Sequence, residues 1–446
     1  MRVLLVSTYE LGHQPLHVAS PAAALRRRGH DVRCIDLSVE QWDPALTGWA
    51  DKVAFSVPMH TAARLALQIA ADVRKPVCFY GLYAAAGRRV ADRTIAGEYE
   101  PALVRWVEGT TDGADEPEIQ LGRNTAAFEL PARELLPPLD RYAHLALGGE
   151  ERVVGYVEAS HGCAHRCRHC PIPVVYDGRI RIVAQDTVLA DIARQVEAGA
   201  RHITFGDPDF LNGVHHSRRI VRAMHERWPE LTFDCTTKVE HILRHESIWG
   251  EMANAGCLFV VSAFETVDNS ILERLDKGHT TADAARVVTL LRERGIEIRP
   301  SFVPFTPWTT LAGVRDILNF VADHDLIGSV DPVQYTIRLL LPEGSLLLDH
   351  PDIVPYLGPY DAEHLTYTWT AADPEVDALQ LRLAALVEAR VATGASIADT
   401  YLAVRAAAGA RELILAGSVE GRPRLTEPWF CCAEPTEGQF GPLGTS

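Results

Sequence analysis

The chain has 446 residues, of which 47% are apolar and 23% charged, and its formal net charge is −16. This length exceeds what one hydrophobic core usually organises, so two or three domains are expected. The acidic balance argues against a general nucleic-acid or membrane-surface binder, which would show a basic face. No apolar run reaches the roughly 18 residues of a transmembrane helix, and the start MRVLLVSTYELG lacks signal-peptide features, so a cytoplasmic protein is expected.

Residues 1–108 alternate between short apolar runs and helical patterns. Such alternation predicts a parallel sheet with helices on both faces, which is a doubly wound α/β domain of Rossmann or flavodoxin type. The expected strands are RVLLVS (2–7), VRCIDL (32–37), VAFSV (53–57) and VCFYG (77–81), and the expected helices cover 21–29 and 61–73.

Residues 109–150 lack clear periodicity. Turn-forming and acidic residues fill GTTDGADEPE (109–118), and three prolines occur in 129–142. We expect a linker between domains that is partly extended and partly packed.

Alternation resumes over residues 151–345, which contain six strand-like runs separated by helical patterns. A full eight-stranded barrel needs about 250 residues, so the shorter series predicts a partial (β/α)6 barrel. Residues 346–446 are expected to be mostly helical, with an irregular tail. The six runs lie at 152–158, 202–207, 231–237, 257–264, 296–303 and 333–340.

The stretch HGCAHRCRHCPIP (161–173) places Cys163, Cys167 and Cys170 within eight positions. Thiolates suit zinc, copper(I) and iron–sulfur clusters, and a structural zinc site normally has four protein ligands. A [4Fe–4S] cluster bound by three cysteines leaves one iron open, which is a catalytic feature at the mouth of a β/α barrel. In the zinc alternative, the candidates for a fourth ligand are His161, His165 and His169.

The C-x3-C-x2-C motif after the first strand of a partial barrel resembles the radical S-adenosylmethionine (SAM) superfamily. A preceding doubly wound domain is similar to the subgroup that has a cobalamin-binding-like domain. The resemblance implies a [4Fe–4S] cluster whose fourth iron is chelated by SAM, and one-electron cleavage that commonly gives a 5′-deoxyadenosyl radical. It also implies a one-electron donor such as flavodoxin or ferredoxin. Whether cobalamin is a third cofactor stays open at this point.

The resemblance extends to residues that would bind SAM. FGDPDF (205–210) follows the second barrel strand, where the family binds the SAM amino group, but it departs from the usual Gly-Gly-Glu form. A capped turn that begins the next helix is the alternative there, and a solvated loop lysine is the alternative for Lys238. The expected contacts are His169, Ser301 and Val303 with the adenine; Gly206, Asp207 and Asp209 with the amino group; Lys238 with the carboxylate; and Glu265 with the ribose.

The loop after the first strand reads STYELGHQPLHVAS and contains His13 and His17. It lacks the D-x-H-x-x-G motif of modules that supply a lower axial ligand to cobalamin, although radical SAM methylases often bind cobalamin without it. The alternative is a vestigial domain that shapes the substrate channel.

The tail segment PWFCCAEP (428–435) contains adjacent Cys431 and Cys432. It resembles the tail of CUAEP/CCAEP-tail radical SAM proteins and, more loosely, the radical SAM enzyme of arsinothricin biosynthesis. Two reduced thiols suit a thiophilic atom, so both cysteines are predicted to act in catalysis by holding a metalloid or thiol-containing substrate. An inert apolar pair is the alternative.

Three functions remain open at this point. The first is a radical SAM enzyme, most simply a transferase, that transfers a SAM-derived group or forms a carbon bond on a small thiophilic substrate. The second is a cobalamin-dependent radical SAM methyltransferase acting on a natural-product intermediate. The third is a non-catalytic metal or metalloid sensor. All three act on a small molecule or ion, without nucleic acid or membrane partners.

Overall fold

The computed structural model describes residues 1–110, 118–121, 128–415 and 421–427. Within these ranges no helix is both long and apolar enough to cross a bilayer. The predicted substrate-holding cysteines, Cys431 and Cys432, lie outside the described residues, as does part of the expected linker.

The first sheet has six parallel strands in the order β2-β1-β3-β4-β5-β6. This is the flavodoxin-type order, in which the chain reverses direction across the sheet between β1 and β3. It confirms the doubly wound prediction; the last two strands were not expected from the sequence. The strands are β1 (Arg2–Ser7), β2 (Asp31–Asp36), β3 (Lys52–Ser56), β4 (Val77–Tyr80), β5 (Arg93–Gly97) and β6 (Ile119–Gln120).

Two hydrophobic cores cover the two faces of this sheet, because successive side chains of a strand point to opposite sides. Leu4 and Val6 pack into one core, and Val3 and Leu5 into the other. A strand buried on both faces must be apolar throughout, which explains the unbroken run in β1. The helices are α1 (Leu16–Arg27), α2 (Pro44–Trp49), α3 (His60–Ala70) and α4 (Glu100–Glu108).

The second sheet has seven strands in the order β14-β13-β12-β11-β8-β7-β17. Five of them run parallel, from β8 to β14, and form the curled half-barrel that the sequence predicted. The strands from residue 144 onward are β7 (His144–Leu147), β8 (Glu150–Val157), β9 (Ser160–Gly162), β10 (Ile180–Ile182), β11 (His202–Phe205), β12 (Thr232–Thr236), β13 (Cys257–Glu265), β14 (Glu297–Phe302), β15 (Leu357–Asp361), β16 (Thr366–Trp369) and β17 (Arg424–Leu425).

The sixth barrel strand expected at 333–340 does not form. A 3₁₀ turn covers Pro332–Tyr335, and a single parallel bridge joins Phe305 to Arg338. The side chain of Gln334 accepts a hydrogen bond from the backbone N–H of Phe302 at 3.0 Å, so it satisfies an edge donor of β14 that a sixth strand would otherwise pair.

Helices cover the outer face of the half-barrel, and two long helices follow it as expected from the sequence. The 3₁₀ turns apart, they are α5 (Ile172–Tyr176), α6 (Gln185–Glu197), α7 (Val214–Arg227), α8 (Val239–Arg244), α9 (Trp249–Asn254), α10 (Asn269–Arg274), α11 (Thr281–Arg292), α12 (Leu311–Asp323), α13 (Pro374–Ala392) and α14 (Ile397–Ala407).

The described part of 109–150 packs against both sheets. Arg133 is buried and binds Asp191 of α6 with two nitrogens, at 3.1 and 2.8 Å. It also donates to the carbonyl oxygens of Tyr156 at 2.6 Å and Gln14 at 3.1 Å. A guanidinium with this many partners holds the loop after β1 close to β8.

Candidate active site

A cavity of about 310 Å³ lies between the two sheets. Parallel strands that belong to one sheet end at the same edge, so the residues that follow them are brought together. Loops that follow β1, β3, β4 and β5 line one side of the cavity, and the carboxyl ends of β8, β11, β12 and β13 line the other.

The three motif cysteines all line this cavity. Cys163 and Cys167 are buried, Cys170 is partly exposed, and among the described cysteines none is in a disulfide. Their loop begins at Gly162, whose φ is +74°; a Cβ there would lie 2.4 Å from the carbonyl oxygen of Arg179, so only glycine fits this turn.

Burial raises the pKa of the Cys163 thiol to about 12. It also raises the pKa of Cys167, although the cationic Lys277 and Lys238 lower it in part. Iron binds thiolates, so a metal together with two ammonium groups would favour the ionised form. Three soft donors converging on one cavity fit an iron–sulfur cluster.

His169 and Glu265 lie beside this loop and contact each other. The Nε2 atom of His169 lies 3.1 Å from Oε1 of Glu265, and Lys277 donates to the same oxygen at 2.9 Å. Burial alone would raise the pKa of Glu265, but Lys277 and His169 outweigh it and lower that pKa. Glu265 has a φ of +62°, which is uncommon for a non-glycine residue and turns its side chain at the end of β13.

Lys277 had no role assigned from the sequence. It lies in the segment LDKGHT (275–280). It is buried and paired with Glu265, and buried lysines are rare unless paired. Its position in the chain could have indicated it, because Lys277 follows the fourth barrel strand and the short helix α10, close to the end of the barrel where the cysteines lie.

The segment FGDPDF gives its three candidate residues different surroundings. Gly206 lines the cavity, and a Cβ there would lie 1.9 Å from the hydroxyl oxygen of Tyr156. Asp207 also lines it, but its oxygens accept hydrogen bonds from Ala159 N–H at 2.9 Å and Ser160 Oγ at 2.6 Å. Burial raises the pKa of Asp207 to about 7 despite these hydrogen bonds.

Asp209 is fully buried and is not among the described residues that line the cavity. One of its oxygens accepts a hydrogen bond from Leu211 N–H at 3.0 Å, which is the capped turn considered as the alternative. Its other oxygen accepts a hydrogen bond from the backbone N–H of Lys238 at 3.4 Å and lies 3.5 Å from His165, and both of these residues line the cavity.

Of the remaining residues predicted to contact SAM, one lines the cavity and two do not. Lys238 lines the cavity, and its ammonium lies 3.6 Å from Glu240. Ser301 and Val303 are buried, and neither is among the described residues that line the cavity. From β14 it is instead Arg299 that faces it, paired with Asp331 at 2.9 Å.

A buried network of charges joins the two sheets at the cavity wall. Glu158, directly after β8, lies 3.2 Å from His17 and 3.3 Å from His161, and it accepts a hydrogen bond from the Tyr156 hydroxyl at 2.9 Å. His161 also lies 3.4 Å from Glu98. Sequence reasoning considered His161 only as a zinc ligand and did not single out Glu158.

The charges of this network stabilise one another. Burial opposes ionisation of every member, yet Glu158 and Glu10 raise the pKa of His17 to about 9, and Glu98 and Glu158 raise that of His161 to about 10. The same two histidines lower the pKa of Glu158 to about 2. At neutral pH, a carboxylate therefore lies between two imidazolium rings.

The family model that matches the chain is that of the radical SAM superfamily, and it covers residues 157–321. The match begins at the end of β8 and includes the three cysteines, Glu265 and Lys277. Residues 157–321 form a radical SAM domain. The chain thus contains a radical SAM domain, and this family uses a [4Fe–4S] cluster and SAM.

The radical SAM enzyme also resembles proteins that extend beyond this domain. It is 23% identical over 336 residues to hopanoid C-3 methylase of Methylococcus capsulatus, a match that covers 66% of the chain and 62% of the relative. The chain therefore spans less than two thirds of that methylase.

Two solved structures share its fold. One is the cobalamin-dependent SAM radical enzyme OxsB with aqua-cobalamin bound, with a TM-score of 0.68, 15% identity, and coverage of 87% of this chain and 67% of that one. The other is the radical SAM methyltransferase TsrM of Kitasatospora setae with cobalamin and a [4Fe–4S] cluster bound, with a TM-score of 0.58, 18% identity, and 73% coverage of each chain.

These likenesses confirm the family and fold that the sequence predicted, namely a cobalamin-binding-like domain followed by a radical SAM half-barrel. An enzyme family is shown, so the sensor alternative is not supported. The domain limits, the cytoplasmic location and the roles of single residues stay predictions.

Proposed function

We propose that this radical SAM enzyme is a cobalamin-dependent methyltransferase that acts on a small molecule. The observation that carries the proposal is one cavity bounded by the cluster cysteines on one side and by loops of the first sheet on the other. SAM at the cysteines and a second cofactor on the first sheet would share this space. The solved structures of OxsB and TsrM that hold cobalamin are consistent with it.

The first sheet offers the kind of binding edge that doubly wound sheets use. Ligands of such sheets bind beyond the carboxyl ends of the strands, at the point where the strand order reverses. Pro58, Leu82 and Tyr83 line the cavity at this edge, so its wall there is mainly apolar. Gly81 also lines it without a side chain, with a φ of +114°, and a Cβ there would lie 3.1 Å from the main chain of Val57.

The two histidines after β1 differ in their availability as an axial ligand. His17 has one ring nitrogen 2.7 Å from the Tyr99 hydroxyl and the other 3.2 Å from Glu158, so both are engaged. His13 lies with its ring centre 4.7 Å from that of Tyr156, and burial lowers its pKa to about 4, which keeps it neutral. The proposal therefore has cobalamin bound without a ligand from His17.

In this proposal the cluster supplies one-electron reduction of SAM and cobalamin supplies a methyl carrier. The residues of the chain would bind these cofactors and orient them. Glu265, held by Lys277, presents a carboxylate suited to vicinal hydroxyl groups. Glu10 lines the cavity, and burial raises its pKa to about 7, so it can take or release a proton near neutral pH.

The test is turnover of SAM by anaerobically prepared enzyme with a reconstituted cluster, with and without hydroxocobalamin. Cobalamin should co-elute with the protein, and mass spectrometry should detect S-adenosylhomocysteine only when cobalamin is present. Release of 5′-methylthioadenosine alone, with no need for cobalamin, would contradict the proposal.

Gly81→Ala provides a variant test of the same binding edge. It should weaken cobalamin binding about tenfold or more while the iron content stays unchanged, because the added Cβ would crowd the main chain of Val57 and so displace the loop that lines the cavity. Gly29→Ala is the matched control, since Gly29 also has a positive φ, +81°, but has nothing within 4 Å of the added Cβ.

A second candidate function is transfer of a SAM-derived carbon group to a thiophilic atom held by Cys431 and Cys432. One observation favours it: Leu425 and Glu427 line the cavity, and the Tyr9 hydroxyl donates a hydrogen bond to Glu427. In the sequence, Cys431 follows Glu427 by four residues.

This candidate predicts that the double variant Cys431→Ala/Cys432→Ala keeps its cluster and its uncoupled SAM cleavage but loses the coupled product. Cys34→Ala is the control, because Cys34 belongs to β2, away from the cavity. The measurements are iron content and the SAM-derived products in the presence of trivalent arsenic. Normal coupled turnover by the double variant would reject a role of the tail thiols.

A further inference from the structure

Three nitrogen and oxygen donors meet behind the cluster loop, at a place that neither cofactor of the proposed function needs. His165 belongs to the loop itself, between Cys163 and Cys167. Asp209 follows β11, and His241 belongs to α8. Their ligand atoms all lie within 4.8 Å of one another.

The separations of Asp209 from the two rings are close to those around one small metal ion. Its Oδ2 atom lies 3.5 Å from Nε2 of His165 and 2.9 Å from Nδ1 of His241. The two rings are also close, with 3.2 Å between their Nε2 atoms, although only one nitrogen of His241 can bind a given ion. Donors about 2.0–2.1 Å from one zinc ion and about 90–120° apart lie roughly 2.9–3.6 Å from each other.

One donor atom of this group of three residues lacks a hydrogen bond. The Nδ1 atom of His241 is buried, and despite its proximity to Asp209 it makes no hydrogen bond of acceptable geometry within the described residues. A buried polar atom without a partner is costly. Asp209 is fully buried and His241 is buried, so a carboxylate and an imidazole are removed from water together, which a bound cation would compensate; His165 is partly exposed.

The surroundings orient these donors. The second oxygen of Asp209 is fixed by the N–H of Leu211 at 3.0 Å. The other ring nitrogen of His165 faces the carboxylate of Glu240 at 3.9 Å. Histidine ligands of metals commonly have a carboxylate near the second nitrogen, which sets the tautomer.

We infer that His165, Asp209 and His241 bind one divalent metal ion of the zinc type, separate from the iron–sulfur cluster. The ion ties the cluster loop to the ends of the second and third barrel strands. Since His165 also lines the cavity, the ion lies at its border, and its fourth position is open to water or to a donor atom of the substrate.

The test uses the full-length enzyme after its cluster has been reconstituted, so that the three cysteines are occupied. The protein is dialysed against zinc, washed free of excess metal and analysed for zinc and iron per chain. Zinc X-ray absorption then reads the ligands directly. We expect one zinc per chain with a shell of nitrogen and oxygen only, at about 2.0–2.1 Å.

His241→Gln should lower the zinc affinity by about tenfold or more, because the amide replaces a ligand while preserving hydrogen bonding. His245→Ala is the matched control: its ring lies 5.8 Å from that of His241 and is not a donor of the cluster, so zinc should remain. Circular dichroism verifies that both variants are folded.

Three outcomes would overturn the inference: no zinc retained by the folded protein, equal zinc in His241→Gln and in the unaltered enzyme, or a sulfur shell near 2.3 Å. The last would mean that zinc had entered the cysteine site. The readout does not involve turnover, so failure of the proposed methyltransferase activity would leave this result unaffected.

Discussion

Replacing Glu158 with glutamine should destabilise the fold by an amount that depends on pH. Glu158 lies between His17 and His161, and removing its charge leaves two buried imidazolium groups with fewer partners. Breaking a buried ion pair typically costs about 3–5 kcal/mol. The rise in the pKa of His17 from 6.5 to about 9 corresponds to about 3 kcal/mol, part of which comes from Glu10.

The direction of the pH dependence follows from the raised pKa of both histidines. A group that binds its proton more tightly in the folded state stabilises it fully below pH 6.5, and this contribution is lost as the pH rises through the folded pKa. For His17 and His161 these values are about 9 and about 10. The loss caused by Glu158→Gln should therefore be about 3 kcal/mol at pH 6.5 and should shrink steadily toward pH 10.

Guanidinium unfolding of the full-length chain at several pH values, followed by circular dichroism under anaerobic conditions, measures this difference. Glu151→Gln is the matched control, because Glu151 is an exposed residue of β8, the strand that Glu158 follows, and it should change the stability by less than about 0.5 kcal/mol. A loss under about 1 kcal/mol at pH 6.5, or a loss that stays constant up to pH 10, would refute the assignment of a protonated pair around Glu158.

Three further results are expected. Cys167→Ala should abolish the cluster, so that iron per chain falls to near zero while Cys34→Ala keeps it; unchanged iron in Cys167→Ala would contradict its role as a ligand. Glu265→Gln should raise the KM for SAM by about tenfold, measured from 5′-deoxyadenosine formation, because a charge-assisted contact is lost; an unchanged KM would argue against this contact. Gly206→Ala should destabilise by about 1–3 kcal/mol, because its Cβ would lie 1.9 Å from the hydroxyl of Tyr156; an unchanged thermal midpoint would exclude that packing.

The parts of the fold that local sequence determines could be predicted. The run of β1 is apolar because the strand is buried on both faces, and the cysteine motif is contained in one loop. The strand β5 (Arg93–Gly97) was missed because it begins with polar residues, and β6 beyond it has only two residues. The run at 333–340 looked like a strand, but Gln334 caps the sheet edge with its side chain instead.

The site was harder to predict than the fold, because several of its contacts join distant segments. Glu158 and His17 are 141 residues apart in the chain, and nothing local relates them. Asp209 and Asp207 are similar in sequence context, yet only the second reaches the cavity. That distinction depends on which way each side chain turns after β11, which periodicity does not encode.

The last described strand, β17, is the outermost strand of the second sheet, where Arg424 and Leu425 pair with Ala146 and Leu145 of β7. If the chain were cut before residue 421, β7 would become an open edge, and unpaired edges recruit strands from other molecules. A chain shortened to end at residue 420 should therefore self-associate more than the unshortened chain, which size-exclusion chromatography would detect.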